Sequence, residues 1–189
     1  MEYCKMEYCK MEYCKMEAIL AYDLNNGISK NGAIPWKSKT DLNFFYNTTK
    51  GNVVIMGRTT FLSLPENCRP LKNRLNIVLT SNPDIYSNDE KYKNVDNLIF
   101  TSDPNIYQQI LQNKEKYITS LSPDFKIIII GGKQIYEMYF PLCKTVWVTR
   151  IKKDCQCDLF IEYDFANQFK DYEIVKDDDE LVILKYFNL

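Results

Sequence analysis

The sequence contains no histidine in its 189 residues, and this absence excludes several kinds of chemistry. A Ser–His or Cys–His nucleophile pair cannot form, and neither can a metal site with histidine ligands. We predict no metal site, because a zinc ion without histidine needs four well-placed thiolates. Any acid–base catalysis must therefore fall to Asp, Glu, Lys, Tyr, Cys or water.

The sequence also lacks a charge excess and a long apolar run. Its formal net charge is −1, which predicts neither a nucleic-acid surface nor a polybasic membrane anchor. No apolar run approaches the ~20 residues of a membrane helix, and the N-terminus has no signal-peptide apolar region. We therefore expect a cytoplasmic protein that binds neither nucleic acid nor a membrane.

Seven cysteines are present, and their odd number and irregular spacing predict free thiols in a reducing compartment. Three lie in residues 1–15, where Met-Glu-Tyr-Cys-Lys occurs three times. Such a short period matches no helix or strand repeat, so we predict a disordered extension, with a thiol- or tyrosine-mediated contact as the alternative. The close pair Cys155 and Cys157 is expected in a surface loop. The length predicts one folded domain at 16–189.

Apolar runs alternate with helical patterns along the rest of the chain. Strands are predicted at 17–22, 52–56, 76–80, 98–101, 126–130, 145–149, 172–175 and 181–187. Helices are predicted from Asp41 to about Gly51, from Gly57 to about Pro65, from Pro104 to about Asn113 and from Lys133 onward, with an irregular polar insertion at 114–125. This order predicts a single α/β domain with a central eight-stranded, mainly parallel sheet, about four flanking helices and an antiparallel C-terminal hairpin.

The predicted sheet has a candidate ligand site at one edge, because ligands of such sheets lie beyond the carboxyl ends of the strands. Several polar or glycine-containing segments fall there: the loop after Tyr22, Gly57-Arg58, Thr80-Ser81, Thr101-Ser102, Gly131-Gly132 and Thr149. Their convergence, more than any one motif, predicts a ligand site.

Asp41 is the candidate acid of this site. It closes the segment 27–41 and shares a predicted helix face with Phe44 and Phe45, although an unpaired carboxylate is expensive to bury. Ser38 precedes it by three residues, so Asp41 could equally be the acid of a capping box. From spacing alone both interpretations stay open, a helix-start acid and a pocket acid.

Two glycine-containing turns precede predicted helices, at Gly131-Gly132 and at Gly57-Arg58-Thr59-Thr60. Free N–H groups at a helix start attract anions, and glycine lets a phosphate approach the backbone closely. A tight turn explains the first of them equally well, but two such sites facing one crevice suggest a diphosphate-bearing cofactor. The Gly-x-Gly-x-x-Gly and Walker fingerprints are missing.

Arg74 enters the strand predicted at 76–80, after the segment 69–73. Its planar guanidinium suits the two oxygens of a carboxylate, yet most arginines are exposed. A solvated charge at a strand start and a carboxylate clamp therefore both stay open.

Taken together, these segments resemble the dihydrofolate reductase family. The resemblance runs from about Met16 to Leu189, and it is carried by the order and spacing of GISKNGAIPW (27–36), Asp41, VIMGRTTF (54–61), RPLKNRLNIVLTS (69–81), IIIIGGKQIY (127–136) and VTRI (148–151). It implies NADPH-dependent reduction of 7,8-dihydrofolate to 5,6,7,8-tetrahydrofolate, by hydride transfer to C6 and water-mediated protonation of N5.

The resemblance also implies roles for individual residues. Asp41 would bind and polarise the pterin, Thr149 would support it through a hydroxyl or water, and Arg74 would clamp the α-carboxylate of the glutamate tail. Trp36 would anchor the loop 27–36, which closes over the nicotinamide, and an ordered water. The other implied substrate-binding residues would line an apolar channel: Ile19, Ile34, Leu42, Phe45, Leu64, Leu71 and Ile130.

For the cofactor, the resemblance implies a 2′-phosphate site that depends on Arg58. Basic residues often found near that phosphate are replaced by Ser81, Ser102 and Gln134, with Lys133 as a compensating charge. The implied cofactor-binding residues are Ala21, Ile28, Gly32, Gly57, Arg58, Thr59, Thr60, Thr80, Ser81, Ile130, Gly131, Gly132, Lys133, Gln134, Ile135 and Tyr136.

Two alternatives remain. The pyrimidine reductase of riboflavin synthesis shares the fold, but it gives no reason for the spacing of Trp36 and Asp41 or for Arg74. A non-catalytic nucleotide-binding protein that acts as a partner module is the second. The implied partners are dihydrofolate and antifolates such as methotrexate. We expect a monomer, either free-standing or derived from a fusion with thymidylate synthase.

Overall fold

The most apolar segments of the sequence form the centre of one large sheet. The structure is a computed structural model that describes residues 16–117 and 121–188, so the predicted extension at 1–15 lies outside the described residues. The strands are β1 (Met16–Tyr22), β2 (Gly27–Ser29), β3 (Val53–Gly57), β4 (Leu75–Leu79), β5 (Leu98–Thr101), β6 (Ile127–Gly131), β7 (Thr145–Ile151), β8 (Leu159–Phe160), β9 (Asp171–Asp177) and β10 (Leu181–Phe187). The helices of the described part are α1 (Lys39–Thr49), α2 (Arg58–Ser63), α3 (Pro83–Ser87), α4 (Ile106–Gln112), α5 (Lys133–Tyr139) and α6 (Phe165–Gln168). Single 3₁₀ turns lie at Glu66–Cys68, Lys114–Lys116 and Phe140–Leu142.

The prediction of an eight-stranded, mainly parallel sheet with an antiparallel C-terminal hairpin is confirmed. The strand order is β5-β4-β3-β6-β1-β7-β10-β9. Neighbours from β5 to β7 are parallel, whereas β10 pairs antiparallel with both β7 and β9. The apolar runs of β3 and β6 are buried on both faces, because helices cover both sides of a parallel sheet.

Alternate side chains of a central strand pack into opposite layers. In β1, Ala18 and Leu20 join a core with α4, α5 and α6. Ile19 faces the other way, into a core with α1, α2 and α3. Helices therefore lie on both faces, as the alternation of strands and helices in the sequence predicts.

Several short elements are additional to those predicted. The four predicted helices are present as α1, α2, α4 and α5, while α3, α6 and the two-stranded sheet of β2 and β8 were not indicated by the sequence. β2 has three residues and β8 has two, which is too short for a period-two pattern to stand out. In the predicted irregular insertion, the described residues form a 3₁₀ turn at Lys114–Lys116 and loop at 121–125.

The register of the sheet brings the predicted ligand-site segments to one edge. Ala21, near the end of β1, pairs with Thr149 of β7. Met56, near the end of β3, pairs with Gly131 at the end of β6. The carboxyl ends of these four strands are thus neighbours. Among the described helices, none is long and apolar enough to cross a membrane.

Candidate active site

Asp41 lies in the first turn of helix α1, and its carboxyl interacts with Trp36 and with Thr149 of β7. The N-cap residue Ser38 accepts a hydrogen bond from the backbone N–H of Asp41 through Oγ, at 3.1 Å. The carboxylate is not needed for this cap, and its Oδ2 instead accepts from the indole Nε1 of Trp36 at 3.5 Å. The two interpretations of Asp41, a helix-start acid and an acid of the cleft, are therefore compatible.

The surroundings of Asp41 favour its protonated form more than water does. Burial raises the pKa of this carboxyl, and the charge of Glu180 raises it further, while the Thr149 hydroxyl and the Trp36 indole lower it in part. The Thr149 side chain is 1 % exposed, and its Oγ1 has no hydrogen-bond partner of acceptable geometry among the described residues. A buried hydroxyl beside a buried carboxyl can hold a water molecule or a polar ligand between them.

The loop 27–36 is fixed to the loop that follows β7. β2 pairs with β8, and the backbone N–H of Asn31 donates to Oδ2 of Asp158 at 2.7 Å. The tip of the loop is a tight turn between Lys30 and Ala33, whose backbones exchange two hydrogen bonds. Asn31 and Gly32 have positive φ angles of 51° and 76° there, as the Asn-Gly pair of such a turn requires.

Asp23 anchors the start of this loop, and the sequence analysis did not identify it. One carboxylate oxygen accepts from the N–H groups of Gly27 at 2.8 Å and Asn25 at 3.0 Å, and the other accepts from Cys155 at 2.9 Å. Burial raises the pKa of Asp23, but these three N–H groups, together with the Cys157 thiol, outweigh it, so that the pKa is lowered. An acid that directly follows a strand and precedes a glycine by four residues was the available signal.

Cys155 and Cys157 are free thiols that lie against this anchor, half-buried in the loop predicted for them. Burial and the Asp23 carboxylate raise the pKa of Cys157 to about 12. Gly27 packs directly on Cys157, since a Cβ at Gly27 would lie 2.2 Å from the Cβ of Cys157. The pair therefore fills space beside the loop in its unreactive thiol form.

The two glycine-containing turns pack against each other with no room for side chains. A Cβ at Gly132 would lie 3.0 Å from Oγ1 of Thr60, and one at Gly57 would lie 3.2 Å from Ile135. Gly131 has a φ of 111° and forms a cis peptide with Gly132. The predicted cofactor residues of β3, β6 and their following helices are thus brought together in a tightly packed arrangement.

Arg58 lies on the surface at the start of α2. Its NH1 donates to the hydroxyl of Tyr86 at 3.5 Å, and the Tyr86 ring stacks on Phe100 with centroids 5.1 Å apart. The hydroxyl oxygens of Thr80 and Ser81 accept hydrogen bonds from the backbone N–H and the side-chain amide of Asn82. Tyr86 is a contact of the candidate phosphate site that sequence reasoning missed, because it lies on the unpredicted helix α3.

Arg74 is buried, so the interpretation of a solvated strand-start charge is wrong. Its side chain is held by two hydrogen bonds, from NH1 to Oγ1 of Thr49 and from Nε to the carbonyl of Lys72, both at 2.9 Å. The guanidinium also lies 5.3 Å from the ring centroid of Tyr46. Burial lowers the pKa of Arg74, which Tyr46 partly counteracts. Among the described residues no carboxylate pairs with it.

The apolar residues expected to line a channel separate into two groups. Five of them belong to the same core layer: Ile19, Phe45, Leu64, Leu71 and Ile130. Ile34 and Leu42 are instead 62 % and 63 % exposed, so they lie on the surface and outside this core layer. Both exposed side chains are accessible to a ligand.

Some of the remaining cofactor candidates have partners within the protein. Lys133 lies 3.8 Å from the carboxylate of Glu137 in an ion pair one helical turn away, which reduces its value as a compensating charge. The hydroxyl of Tyr136 donates to the carbonyl of Ile19 at 2.8 Å, so Tyr136 ties α5 to β1 beneath the glycine turn. Gln134 is exposed.

Comparison of the sequence with known proteins indicates the family of this chain. Residues 15–182 match the family model described as dihydrofolate reductase. The dihydrofolate reductase of Ureaplasma parvum is 34 % identical over 165 residues, which cover 87 % of this chain and 91 % of that protein. That of Heliothis virescens is 34 % identical over 154 residues, covering 77 % of each. The bifunctional dihydrofolate reductase-thymidylate synthase of Paramecium tetraurelia is 34 % identical over 154 residues, or 80 % of this chain but 29 % of that protein.

Proposed function

The chain belongs to the dihydrofolate reductase family, and from that premise we propose that it reduces 7,8-dihydrofolate to 5,6,7,8-tetrahydrofolate with NADPH as the reductant. The observation that carries the proposal is Asp41, a partly buried carboxyl of raised pKa beside the buried hydroxyl of Thr149. Such a pair needs a polar ligand, and the pterin ring edge is one.

Asp41 binds the pterin through its N3–H and 2-amino group, which form a pair of donors that matches the two oxygens of a carboxylate. Thr149, which is held in β7 opposite Ala21, binds a water or the same amino group from the other side. Ile34, Leu42 and Phe45 supply apolar contacts to the flat ring. This arrangement fixes the orientation of the ring relative to the glycine turns.

The reduction also requires a proton at N5 of the pterin. Asp41 binds the edge of the ring that lies opposite N5, so it does not contact N5 directly. It acts instead through the tautomer of the substrate and through water. Its raised pKa supports this role, because a carboxyl whose pKa lies closer to neutral is protonated in a larger fraction of molecules and can supply a proton there. Trp36, whose indole donates to Asp41, keeps the carboxyl in its orientation.

The residues of the two glycine turns fit a dinucleotide. A Cβ at Gly57, Gly131 or Gly132 would lie 3.0–3.2 Å from a neighbouring side chain, so both turns are tightly packed, and glycine there presents no side chain that would separate the backbone from a cofactor. When bound, NADPH supplies the hydride that adds to C6. Thr60 and Ile135 lie beside these turns, and Arg58 supplies a cation for the 2′-phosphate.

The loop 27–36 excludes water from the reacting atoms. Its attachment to Asp158 and β8 holds the loop in place, and Ile28 packs from it against the core. Arg74 clamps the α-carboxylate of the glutamate tail, for which its rigid, buried guanidinium is suited.

The test is a spectrophotometric assay that follows NADPH oxidation in the presence of dihydrofolate, with NADH in parallel. We expect turnover with NADPH, and a loss of about 10²-fold or more in kcat for Asp41→Asn. Asp124→Asn, which removes an exposed carboxylate, is the matched control and should retain activity. Absence of any dihydrofolate-dependent oxidation, or a fully active Asp41→Asn, would refute the proposal.

A further inference from the structure

Cys155 and Cys157 are free thiols with one residue between them, and the proposed reaction uses neither. Both are only partly buried, so a small reagent has access to them. Residues two positions apart have Cα atoms at most about 7 Å apart in an extended chain, and a disulfide joins Cα atoms about 4.4–6.8 Å apart. Gln156 between them has a φ of 56°, which turns the chain out of the extended form and brings the two cysteines nearer. The two thiols are therefore within the reach of one disulfide.

The loop 27–36 is attached to the chain that carries these thiols. Nζ of Lys30 near the loop tip donates to Oε1 of Gln156 at 3.1 Å. The backbone N–H of Asp158 donates to the carbonyl of Ser29 at 2.9 Å. These hydrogen bonds involve the residues directly before and after the second thiol, so a shift of the backbone there also displaces partners of the loop.

In the reduced state each thiol supports one end of this loop. At its start, a Cβ at Gly27 would lie 2.7 Å from Sγ of Cys157, and the Asp23 carboxylate interacts with the same thiol. At its end, Trp36 packs on the same small apolar cluster as Cys155. The sulfur atoms of a disulfide lie about 2.05 Å apart, so at least one of these free thiols must leave its contacts when the bond forms.

We propose that Cys155 and Cys157 form a modification site, at which a disulfide oxidant joins the two sulfur atoms and thereby loosens the loop 27–36. In the first step one cysteine sulfur attacks a sulfur of the oxidant, such as oxidised glutathione, and one glutathione thiol leaves. In the second step the other cysteine sulfur attacks this mixed disulfide, and the second glutathione thiol leaves. The two cysteines lose two electrons and two protons, which the two glutathione thiols carry away. The inference goes beyond the proposed function, because it concerns the loop and not the substrate.

The reduced pair reacts slowly at neutral pH. Burial and the Asp23 carboxylate raise the pKa of Cys157 to about 12, and they also raise the pKa of Cys155. The other charged groups that act on the pair lie on the loop and on the segment of the thiols: Lys30, Lys153, Asp154 and Asp158. A protonated thiol is a poor nucleophile, so only sustained oxidation modifies the site. The thiolate fraction grows about tenfold per pH unit below the pKa, and the disulfide should form about tenfold faster at pH 8 than at pH 7.

The test treats the full reduced chain with oxidised glutathione, blocks the remaining thiols with an alkylating reagent and identifies the tryptic peptides by mass spectrometry. Residues 154–170 form one such peptide, which contains these two cysteines and no other cysteine. After oxidation we expect this peptide to have lost two hydrogen atoms and to take up no alkylating reagent. In the untreated protein it should take up two molecules of the reagent.

The state of the loop is measured by brief trypsin digestion of the folded protein, which cleaves after Lys30 when the loop opens. Oxidation should speed this cleavage about fivefold, the effect of losing about one net hydrogen bond, and a reducing agent should reverse the change. The double variant Cys155→Ser, Cys157→Ser has neither thiol and should show no increase. Cys68→Ser removes an exposed thiol outside the pair, so it is the matched control and should respond as the unmodified protein does.

Three results would overturn the inference. The first is alkylation of both cysteines of the peptide 154–170 under conditions that oxidise Cys68. The second is a stable glutathione adduct on this peptide in place of a disulfide. The third is a disulfide that leaves the cleavage after Lys30 unchanged. Failure of the proposed function looks different, since it would appear as an absence of dihydrofolate-dependent NADPH oxidation and would leave these readouts as they are.

Discussion

Asp41→Asn should make the protein more stable at neutral pH while removing most of its activity. Burial raises the pKa of this carboxyl above the unfolded value of about 3.9. Below that unfolded value the carboxyl is protonated in both states, and ionisation has no effect on folding. As the pH rises through the folded pKa, the unfolded state loses its proton first, so the folded state becomes relatively less stable. Asparagine cannot ionise and does not carry this penalty.

The size of the gain follows from what the substitution keeps. The Ser38 cap uses the backbone N–H of residue 41, and an asparagine oxygen can still accept from Trp36. Relief of an unfavourable site charge commonly stabilises a protein by on the order of 1 kcal/mol. For a chain of this length, that raises Tm by about 2–4 °C.

The assay is thermal unfolding of the ligand-free protein and of Asp41→Asn from pH 4 to pH 8, with kcat measured alongside. The gain in Tm should be largest at neutral pH and should shrink toward pH 4. The reasoning would be refuted if Asp41→Asn were less stable at pH 7, or if its gain were the same at every pH.

Asp23→Asn is the control, because it should lower the stability at neutral pH, whereas Asp41→Asn should raise it. The pKa of Asp23 is lowered by three backbone N–H donors and Cys157 despite its burial, so its contribution to stability is present above the unfolded pKa and is lost as the pH falls through the folded pKa. An amide can accept on one side only, which leaves the N–H of Cys155 or those of Gly27 and Asn25 without an acceptor. We expect a loss of about 2 kcal/mol at pH 7. An unchanged stability of Asp23→Asn at pH 7 would contradict the anchoring role of Asp23.

Four further predictions concern the ligands and the loop. Arg74→Leu should raise the KM for dihydrofolate by roughly 10-fold or more, because a charged hydrogen bond contributes about 1.5–3 kcal/mol; an unchanged KM in steady-state assays would leave Arg74 structural. Arg58→Ala should raise the KM for NADPH but not for NADH, and equal changes for both cofactors would remove Arg58 from the phosphate site. Methotrexate with NADPH should stabilise the protein by about 4 kcal/mol at a thousandfold excess over Kd, which is visible as a higher Tm. An unchanged Tm at saturating drug would count against the folate proposal. Gly27→Ala should lower both Tm and kcat, since a Cβ there would lie 2.2 Å from Cys157; wild-type values would show that the loop adjusts without loss.

The sheet could be predicted from the sequence because its central strands are nearly pure apolar runs. The run 127–130 is buried on both faces in β6, and periodicity distinguishes such a run from an amphipathic helix. β2 and β8 could not be found in this way, because each is too short to have a period. Their pairing depends on the contact of two loops that are distant in the sequence.

The same limit applies to the site residues, because contacts between distant parts of the sequence decide their burial and hydrogen bonding. The interpretation of Arg74 as solvated failed because its burial is decided by Thr49 and Tyr46 of α1, which local sequence does not place beside it. Asp23 was missed because one of its three N–H donors comes from Cys155, far along the chain. Motifs thus indicate which residues bear chemistry, whereas tertiary contacts decide their protonation and burial.

Asp23 and Asp41 flank the loop 27–36, and they show how the same side chain can be either stabilised or destabilised as an anion. Asp23 accepts three backbone N–H groups, so it is stable as an anion and holds the loop. Asp41 receives one indole N–H at 3.5 Å, and this indole and the Thr149 hydroxyl offset only part of the effect of burial, so its ionised form is poorly compensated. A carboxyl in that state binds a donor-bearing ligand more strongly than a satisfied one does, because the ligand supplies the missing hydrogen bonds. A ligand with matching donors, such as the pterin that we propose, would therefore relieve part of the destabilisation that Asp41 brings to the free protein.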